Sequence, residues 1–276
     1  MPHEVNLGQM LGAANRVARS VLPAIPYQRL RKAVVARRIA SYKQRTVSRS
    51  YCGFPLRISL GDPVAEEWYD REWPRSREVD KLSPNPGEVV FDLGAHQAVV
   101  AMVIGRLVGE TGHVIAVEAE PHNVRAGKTN VALNGATNVE VIHAAVTSEP
   151  GSVLFAEGLN GRLLDSGRLG TVRVPAVTID SLAAEYGHPD AVLIDVEGAE
   201  VLALEGASET IRRGARFMIE VHLGCGLEDL GGHPDELPRL LTGYRFETSK
   251  RDVDDGWQEG AEMSVQSFLF AEPAER

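Results

Sequence analysis

Residues 88–98 read Glu-Val-Val-Phe-Asp-Leu-Gly-Ala-His-Gln-Ala, and they limit the fold more than any other stretch. Val89, Val90 and Phe91 follow a Pro86-Gly87 turn signal as a short apolar run, the pattern of a strand buried on both faces of a parallel sheet. Asp92 stands at the strand's carboxyl end, and Gly94 offers a position where backbone can approach a ligand closely. Residues 98–108 are apolar enough to form the helix that packs back on the sheet. A strand, a glycine turn and a helix N-terminus together build the cofactor crevice of an open α/β sheet.

The chain downstream continues the alternation. Strands are expected at 88–93, 113–118, 139–144, 190–195 and 215–221. Helices are expected at 98–108, 121–134, 181–186 (with Asp180 as its N-cap) and 199–212. Residues 152–156 and 171–178 are two β-like runs around a glycine-rich segment. A helix at 234–242 precedes two strands, 243–249 and 264–270, with no helix between them, so these two can pair antiparallel. The expected fold class is α/β: a seven-stranded Rossmann-like sheet, mostly parallel, with an antiparallel C-terminal hairpin and an N-terminal helical extension.

Three regions are expected. Residues 1–50 are a basic helical arm, with helices at 7–22 and 27–45 separated by Pro23 and Pro26. Residues 51–82 are a brace or lid: a strand at 53–60, then one or two helices carrying Trp68, Tyr69 and Trp73. The breaker Ser83-Pro-Asn-Pro-Gly87 opens the main domain, 83–276.

Charge is divided between these regions. The arm holds ten Lys/Arg against the single acid Glu4, a net +9, while the whole chain carries −9, so residues 51–276 carry −18. A body this acidic is a poor nucleic-acid binder, and no nucleic-acid partner is expected. The arm is expected to dock on the acidic body or on a second subunit as a homo-oligomer; anionic lipid, RNA or an acidic protein are the other partners its charge suits. No run of about 18 apolar residues exists, so no transmembrane helix is expected. The apolar stretch around Val21–Ile25 is broken by prolines, which argues against a signal peptide. Cys52 and Cys225 are isolated, which fits a cytoplasmic location and neither a zinc site nor a disulfide framework.

The first motif discriminates between cofactors. A nicotinamide dinucleotide wants Gly-x-Gly-x-x-Gly, and from Gly94 the chain reads Gly-Ala-His-Gln-Ala-Val, without the second and third glycines. S-adenosylmethionine carries no phosphate and needs less of that close backbone approach. Asp92 suits a ligand bearing an ammonium group, and Glu118, at the end of the second strand, can accept both ribose hydroxyls. S-adenosyl-L-methionine is therefore the expected cofactor, with Asp92, Gly94, His96, Glu118, Asp195 and Glu197 as its binding residues.

Asp92-Leu-Gly-Ala-His-Gln-Ala98, Val114-Ile-Ala-Val-Glu118, Val192-Leu-Ile-Asp195-Val-Glu197-Gly198-Ala-Glu200 and Glu220-Val-His222 resemble the FkbM family of S-adenosylmethionine-dependent methyltransferases. Val177-Thr-Ile-Asp180-Ser-Leu resembles that family's segment before the fourth strand, and the likeness covers about residues 84–270. Against the family pattern, His96 stands at an Asn position, Ala98 at a Gly position, Leu193 at a Lys position and Ala119 at a Pro position. Alanine for glycine costs little unless the backbone φ there is positive. The resemblance implies O-methylation of a hydroxyl on a small molecule, a sugar or a secondary metabolite. The alternative is a non-catalytic S-adenosylmethionine-binding or scaffold protein whose first motif has eroded.

Methyl transfer from a sulfonium needs an acceptor oxygen held in line and a group to take its proton. Asp195, Glu220 and His222 are the candidate catalytic residues at the tips of the fourth and fifth strands. Strand parity sets Glu220 and His222 on one face. His222 is the first choice of base, because its ordinary pKa lies near neutrality, and Asp195 is the second. Glu197 and Glu200 suit a helix N-terminus as well as a site. A divalent cation on Asp195, Glu220 and His222 is the minor reading, and no metal is expected. His96 either bonds the cofactor from the turn or points to solvent, and His143 reads as a strand-end residue.

Overall fold

The computed structural model describes residues 33, 37, 39–156, 162–163, 171–224, 226–251, 257–259 and 267–274. Its main sheet contains β3 (Val89–Leu93), β4 (His113–Glu118), β5 (Val139–His143), β10 (Ala191–Ile194), β11 (Arg216–Val221), β12 (Tyr244–Arg251), β13 (Trp257–Glu259) and β14 (Ser267–Pro273). Their order is β13-β12-β14-β11-β10-β3-β4-β5. The five strands from β5 to β11 are parallel, and β14 is antiparallel to both β11 and β12. The seven longer strands are thus the mostly parallel sheet with antiparallel C-terminal strands that the alternation implies; β13 is a short addition at the edge.

Apolar runs at the centre explain the strand order. All four residues of β10 are buried, as are Val90, Phe91 and Leu93 of β3. Their side chains alternate between two apolar layers. Val90, Val114, Ala191, Leu193 and Met218 pack with α3 (Val99–Val108) and with Val124 of α4 (Pro121–Leu133). Phe91, Ile115, Val192, Ile194 and Phe217 face α5 (Ile179–Tyr186), α6 (Glu200–Glu205) and α8 (Glu236–Leu240). The parallel register sets Leu93 beside Ile194, and Ile194 beside Ile219. The carboxyl ends of three neighbouring strands therefore open at one level.

Two smaller sheets accompany the main sheet. After β5 the chain forms β6 (Ala145–Val146), β7 (Gly151–Ala156), β8 (Arg162–Leu163) and β9 (Thr171–Val177), ordered β6-β9-β7-β8. Before β3, the antiparallel hairpin of β1 (Arg45–Tyr51) and β2 (Phe54–Leu60) leads into α1 (Pro63–Tyr69) and α2 (Arg77–Leu82). Tyr51, Leu56, Ile58, Tyr69 and Leu82 belong to the same apolar cluster as α3. Asn130 of α4 ties the hairpin down: its Oδ1 accepts the Ser59 N–H at 2.8 Å, while its Nδ2 donates to the Gln97 carbonyl at 3.1 Å.

Four expectations need correction. The helix expected at 27–45 has ended by Ser41, and Arg45 begins a strand, because Val47 and Tyr51 alternate inward from polar neighbours. The helix at 199–212 is two helices, α6 and α7 (Ser208–Arg213), broken at Gly206-Ala207. A Cβ at Gly206 would come within 2.5 Å of the Thr147 carbonyl oxygen, so the break sits where only glycine fits. Thr178, not Asp180, caps α5 through a capping box with Ser181. Asp180 instead accepts the Glu209 and Thr210 N–H groups, each at 2.9 Å, at the start of α7. Finally, the second C-terminal strand begins at Ser267, three residues later than expected. The expected helix at 7–22 lies outside the described residues; no described helix is long and apolar enough to cross a membrane.

Candidate active site

The first motif is pinned by backbone. Gly94 and Ala95 both donate their N–H to the Val117 carbonyl, at 2.9 and 3.0 Å. Gly94 has φ +90°, and a Cβ there would lie 1.7 Å from the Asp195 carbonyl oxygen. Only glycine lets the turn after β3 touch the loop after β10. His96 and Ala98 follow with φ of +47° and +61°, a conformation that strains residues bearing a Cβ.

Glu118, at the tip of β4, holds that turn. Its two carboxylate oxygens accept the His96 and Glu120 N–H groups, each at 2.7 Å. Burial pushes Glu118 up to about 8 despite those bonds. Asp92 is 2% exposed, and its Oδ2 has no hydrogen-bond partner. Burial pushes it up to about 7, and the Ala101 N–H opposes that rise. Asp92 sits behind the turn, against the start of α3, and is not among the residues lining the cleft.

His96 is buried, which overturns its solvent-facing reading. Its Nδ1 lies 2.8 Å from the Tyr69 hydroxyl, and the Trp68 ring packs 4.9 Å from the imidazole, centre to centre. Next to it, Gln97 Nε2 donates to Asp62 Oδ2 at 2.7 Å, and His122 Nε2 meets that same oxygen at 2.9 Å. Asp62 Oδ1 caps α1 through the Val64 and Ala65 N–H groups. Two consecutive motif residues are thus anchored to the segment before β3.

The acids expected at the later strand tips converge on one imidazole. His222 Nδ1 lies 2.8 Å from Glu200 Oε1, which also accepts the Gly198 N–H at 2.8 Å. His222 Nε2 faces Asp195 at 3.6 Å, Glu197 at 3.7 Å and Glu220 at 3.9 Å. Burial alone would lower the His222 pKa. The Glu200 bond and the charges of Asp195 and Glu197 override it and hold the ring at about 10. These contacts favour the protonated ring and make His222 less suited to be the near-neutral base its ordinary pKa suggests.

The acids move the other way. Its depth in the cleft, from which 40% of the side chain is still reachable, and the Glu220 charge raise Asp195 above the carboxylate range, against the pull of His222. Burial raises Glu220 to about 7. Asp195, Glu220 and His222 each offer one ligand atom within 4.8 Å of the others, a set that could hold a divalent cation. His143 keeps a structural role, its Nε2 3.1 Å from the Ala119 carbonyl.

A cleft opens beside these groups. Gly94, His96, Glu118, Asp195 and Glu197 line its polar end, while Val117, Ala144, Ala145, Val146, Phe155 and Leu163 give apolar walls. Asp195 reaches it with 40% of its side chain exposed, whereas Glu220 and His222 stand behind. Trp68 lines it as well. Glu200's inward turn, Trp68, Tyr69 and the lining pair Phe155 and Leu163 carried no recognisable chemical signature in the sequence.

Residues 92–247, more than half of the chain, match the methyltransferase FkbM domain. The chain belongs to the FkbM methyltransferase family. Within it, 76 residues are 36% identical to an arsenite methyltransferase of Halobacterium salinarum, covering 26% of this chain and 19% of that protein. A stretch of 138 residues is 33% identical to the 23S rRNA (uracil(1939)-C(5))-methyltransferase RlmD of Marinomonas posidonica, covering 50% of this chain and 27% of that one. The chain thus spans no more than about a quarter of the length of these relatives. A crystal structure of methyltransferase FkbM from Methylobacillus flagellatus KT is 16% identical, with a TM-score of 0.46, over 66% of this chain and 43% of that one.

The cofactor of this FkbM chain is S-adenosylmethionine, and the cleft fits it. Glu118 presents a carboxylate at the end of β4, the place for ribose hydroxyls. Apolar side chains beyond it suit a purine, and no Lys or Arg is among the described lining residues, which disfavours a diphosphate.

Proposed function

We propose that the protein is an O-methyltransferase that moves a methyl group from S-adenosylmethionine to a hydroxyl of a small molecule, a sugar or a secondary metabolite. The observation that carries this reading is the position of Asp195: it shares the cleft with the Gly94 turn and is backed by Glu220 and the His222 ring.

When bound, S-adenosylmethionine supplies an electrophilic methyl on a sulfonium. In its ionised form, which the facing His222 favours, Asp195 accepts the acceptor's hydroxyl proton as the oxygen bonds to that methyl and the methyl leaves sulfur. Glu220 shares the incoming proton. His222, carried by Glu200, keeps a fixed positive charge behind both carboxylates, so the cluster holds a proton without losing its geometry. Asp195 thus takes the role of base first expected of His222. Glu118 binds ribose, while Gly94, His96 and Glu197 shape the methionyl end. No metal is needed, because the imidazolium already supplies the cation these acids face; dialysis against a chelator is expected to leave turnover unchanged.

The acidic body favours a small acceptor over RNA. The basic arm, residues 1–50, remains the part proposed for contact with a second copy or an anionic surface, and the brace 51–82 and the domain 83–276 the parts that form the site. Transfer of labelled methyl to a panel of hydroxylated small molecules and to total RNA tests the reading. Asp195→Asn is expected to lower kcat by about 10²–10⁴-fold, more than it weakens cofactor binding. Label in RNA alone would overturn the acceptor class. Cofactor binding with no transfer to either would favour the non-catalytic alternative.

A further inference from the structure

The matched FkbM domain begins at residue 92, yet the cleft is lined in part by a residue from outside it. Trp68, in α1, lines the cleft together with Gly94, His96, Glu118, Asp195 and Glu197. We propose that Trp68 recognises the positive charge of the cofactor's sulfonium, so that the protein prefers S-adenosylmethionine to its demethylated product, S-adenosylhomocysteine. The inference depends on the cofactor and not on the identity of the acceptor.

The ring is held in place rather than laid on the surface. It packs 4.9 Å from the His96 imidazole and 6.3 Å edge-on from Tyr69, centre to centre. Tyr69 is buried, and its hydroxyl meets His96 Nδ1 at 2.8 Å. At its N-terminus, α1 is capped by Asp62, which also bonds Gln97 of the motif turn. After the helix, Trp73 Nε1 donates to the Trp68 carbonyl at 3.1 Å. Helix, turn and ring therefore keep a fixed relation.

Position decides what the ring can do. Trp68 packs on His96, whose N–H bonds Glu118, and it lines the same cleft as Asp195 and Glu197. An indole face attracts a cation within about 6 Å of its centre, more strongly when water is excluded. S-adenosylmethionine and S-adenosylhomocysteine share the adenosine, the ammonium and the carboxylate. They differ by a methyl and by the charge on sulfur. An attraction to that charge exists before transfer and vanishes after it, which favours loading and speeds release of product. Asp195 and Glu197 favour the same cation, so Trp68 accounts for part of the preference and not all of it.

The test compares the full chain with Trp68→Phe and Trp68→Leu by calorimetric titration with each ligand. Leucine keeps apolar bulk without a π face; phenylalanine keeps the face. Trp68→Leu is expected to weaken S-adenosylmethionine by between about two- and thirtyfold while changing S-adenosylhomocysteine less than twofold. Trp68→Phe is expected to retain most of the wild-type ratio of the two dissociation constants. Equal losses for both ligands, or an unchanged ratio in Trp68→Leu, overturn the proposal and leave the methyltransferase reading standing. A wild-type chain that binds neither ligand overturns that reading instead. Circular dichroism of each variant confirms that the fold is retained.

Discussion

Glu200 Oε1 lies 2.8 Å from His222 Nδ1, with the Glu200 side chain fully buried. One carboxylate therefore fixes both the orientation and the charge of the ring that the other acids face. Glu200→Gln keeps an acceptor for the Gly198 N–H and removes the charge. The His222 pKa is then expected to fall from about 10 toward its ordinary value. A group raised from near 6.5 to about 10 contributes stability that is full below 6.5 and lost as pH rises through 10. Denaturant melts should thus show wild type ahead of Glu200→Gln by about 1.5–3 kcal/mol below pH 6.5, with the gap closing toward pH 10. An unchanged pH profile of kcat in the variant would remove His222's charge from the mechanism.

Glu118 gives the opposite linkage. Its folded pKa is raised to about 8, so the free protein holds a proton there that the unfolded chain has lost above about 4.3. Stability therefore falls as pH rises from about 4.3, and the loss is complete above 8. Ribose hydroxyls favour the ionised form, so cofactor binding below pH 8 releases this proton. Affinity is expected to tighten between pH 6 and 8, by at most about tenfold per unit, and to level off above. Asp92 titrates near 7 in the same region and Glu120 is the charged neighbour. The part of the slope that disappears in Glu118→Gln belongs to Glu118. Calorimetry at several pH values measures it, and a variant with the wild-type slope refutes the assignment.

Ala98 occupies the family's glycine position with φ +61°. The substitution is therefore not mild: a left-handed residue with a Cβ costs about 1–2 kcal/mol. Ala98→Gly relieves that strain and gives back about 0.4–1 kcal/mol through a looser unfolded chain. A net gain of up to about 1 kcal/mol is expected, seen as a rise of about 2–4 °C in Tm for a chain of this size. Ala98 is fully buried and its Cβ faces Gly127, so a loss would mean that the methyl's packing outweighs the strain.

These residues also show where sequence reading stops. Val90, Phe91, Val192 and Ile194 reveal the sheet because burial on both faces leaves an uninterrupted apolar run. Asp195, Glu220 and His222 are visible because strand ends are where open α/β sheets bind ligands. Glu200 is not, since an acid in the first turn of a helix serves a helix dipole equally well. Nothing local to Trp68 or Tyr69 shows that they pack on His96, 28 and 27 residues away in the chain. The break at Gly206-Ala207 is equally hidden, because its cause is the distant Thr147 carbonyl.

Gly198 and Gly226 lie back to back and bring the Asp195–Glu197 loop against the loop that follows His222. Gly198 has φ +105°, and a Cβ there would meet Gly226 Cα at 2.5 Å and its carbonyl carbon at 2.4 Å. The obstacle is backbone, which cannot swing aside as a side chain can. Gly198→Ala must therefore both adopt a left-handed φ and push the loops apart, and a loss of stability of about 2–4 kcal/mol is expected. The Gly198 N–H also bonds Glu200, so separation loosens the support of His222. The signature is a fall in kcat of at least about tenfold, with cofactor affinity, to which Glu197 of the same loop contributes, falling less than kcat. Equal losses in both would indicate general unfolding and remove this loop contact from the account of the site. Gly53 provides the control, because its Cβ would meet nothing within 4 Å. Gly53→Ala carries the same strain of positive φ, here +84°, without a clash, and should lower Tm with kcat unchanged.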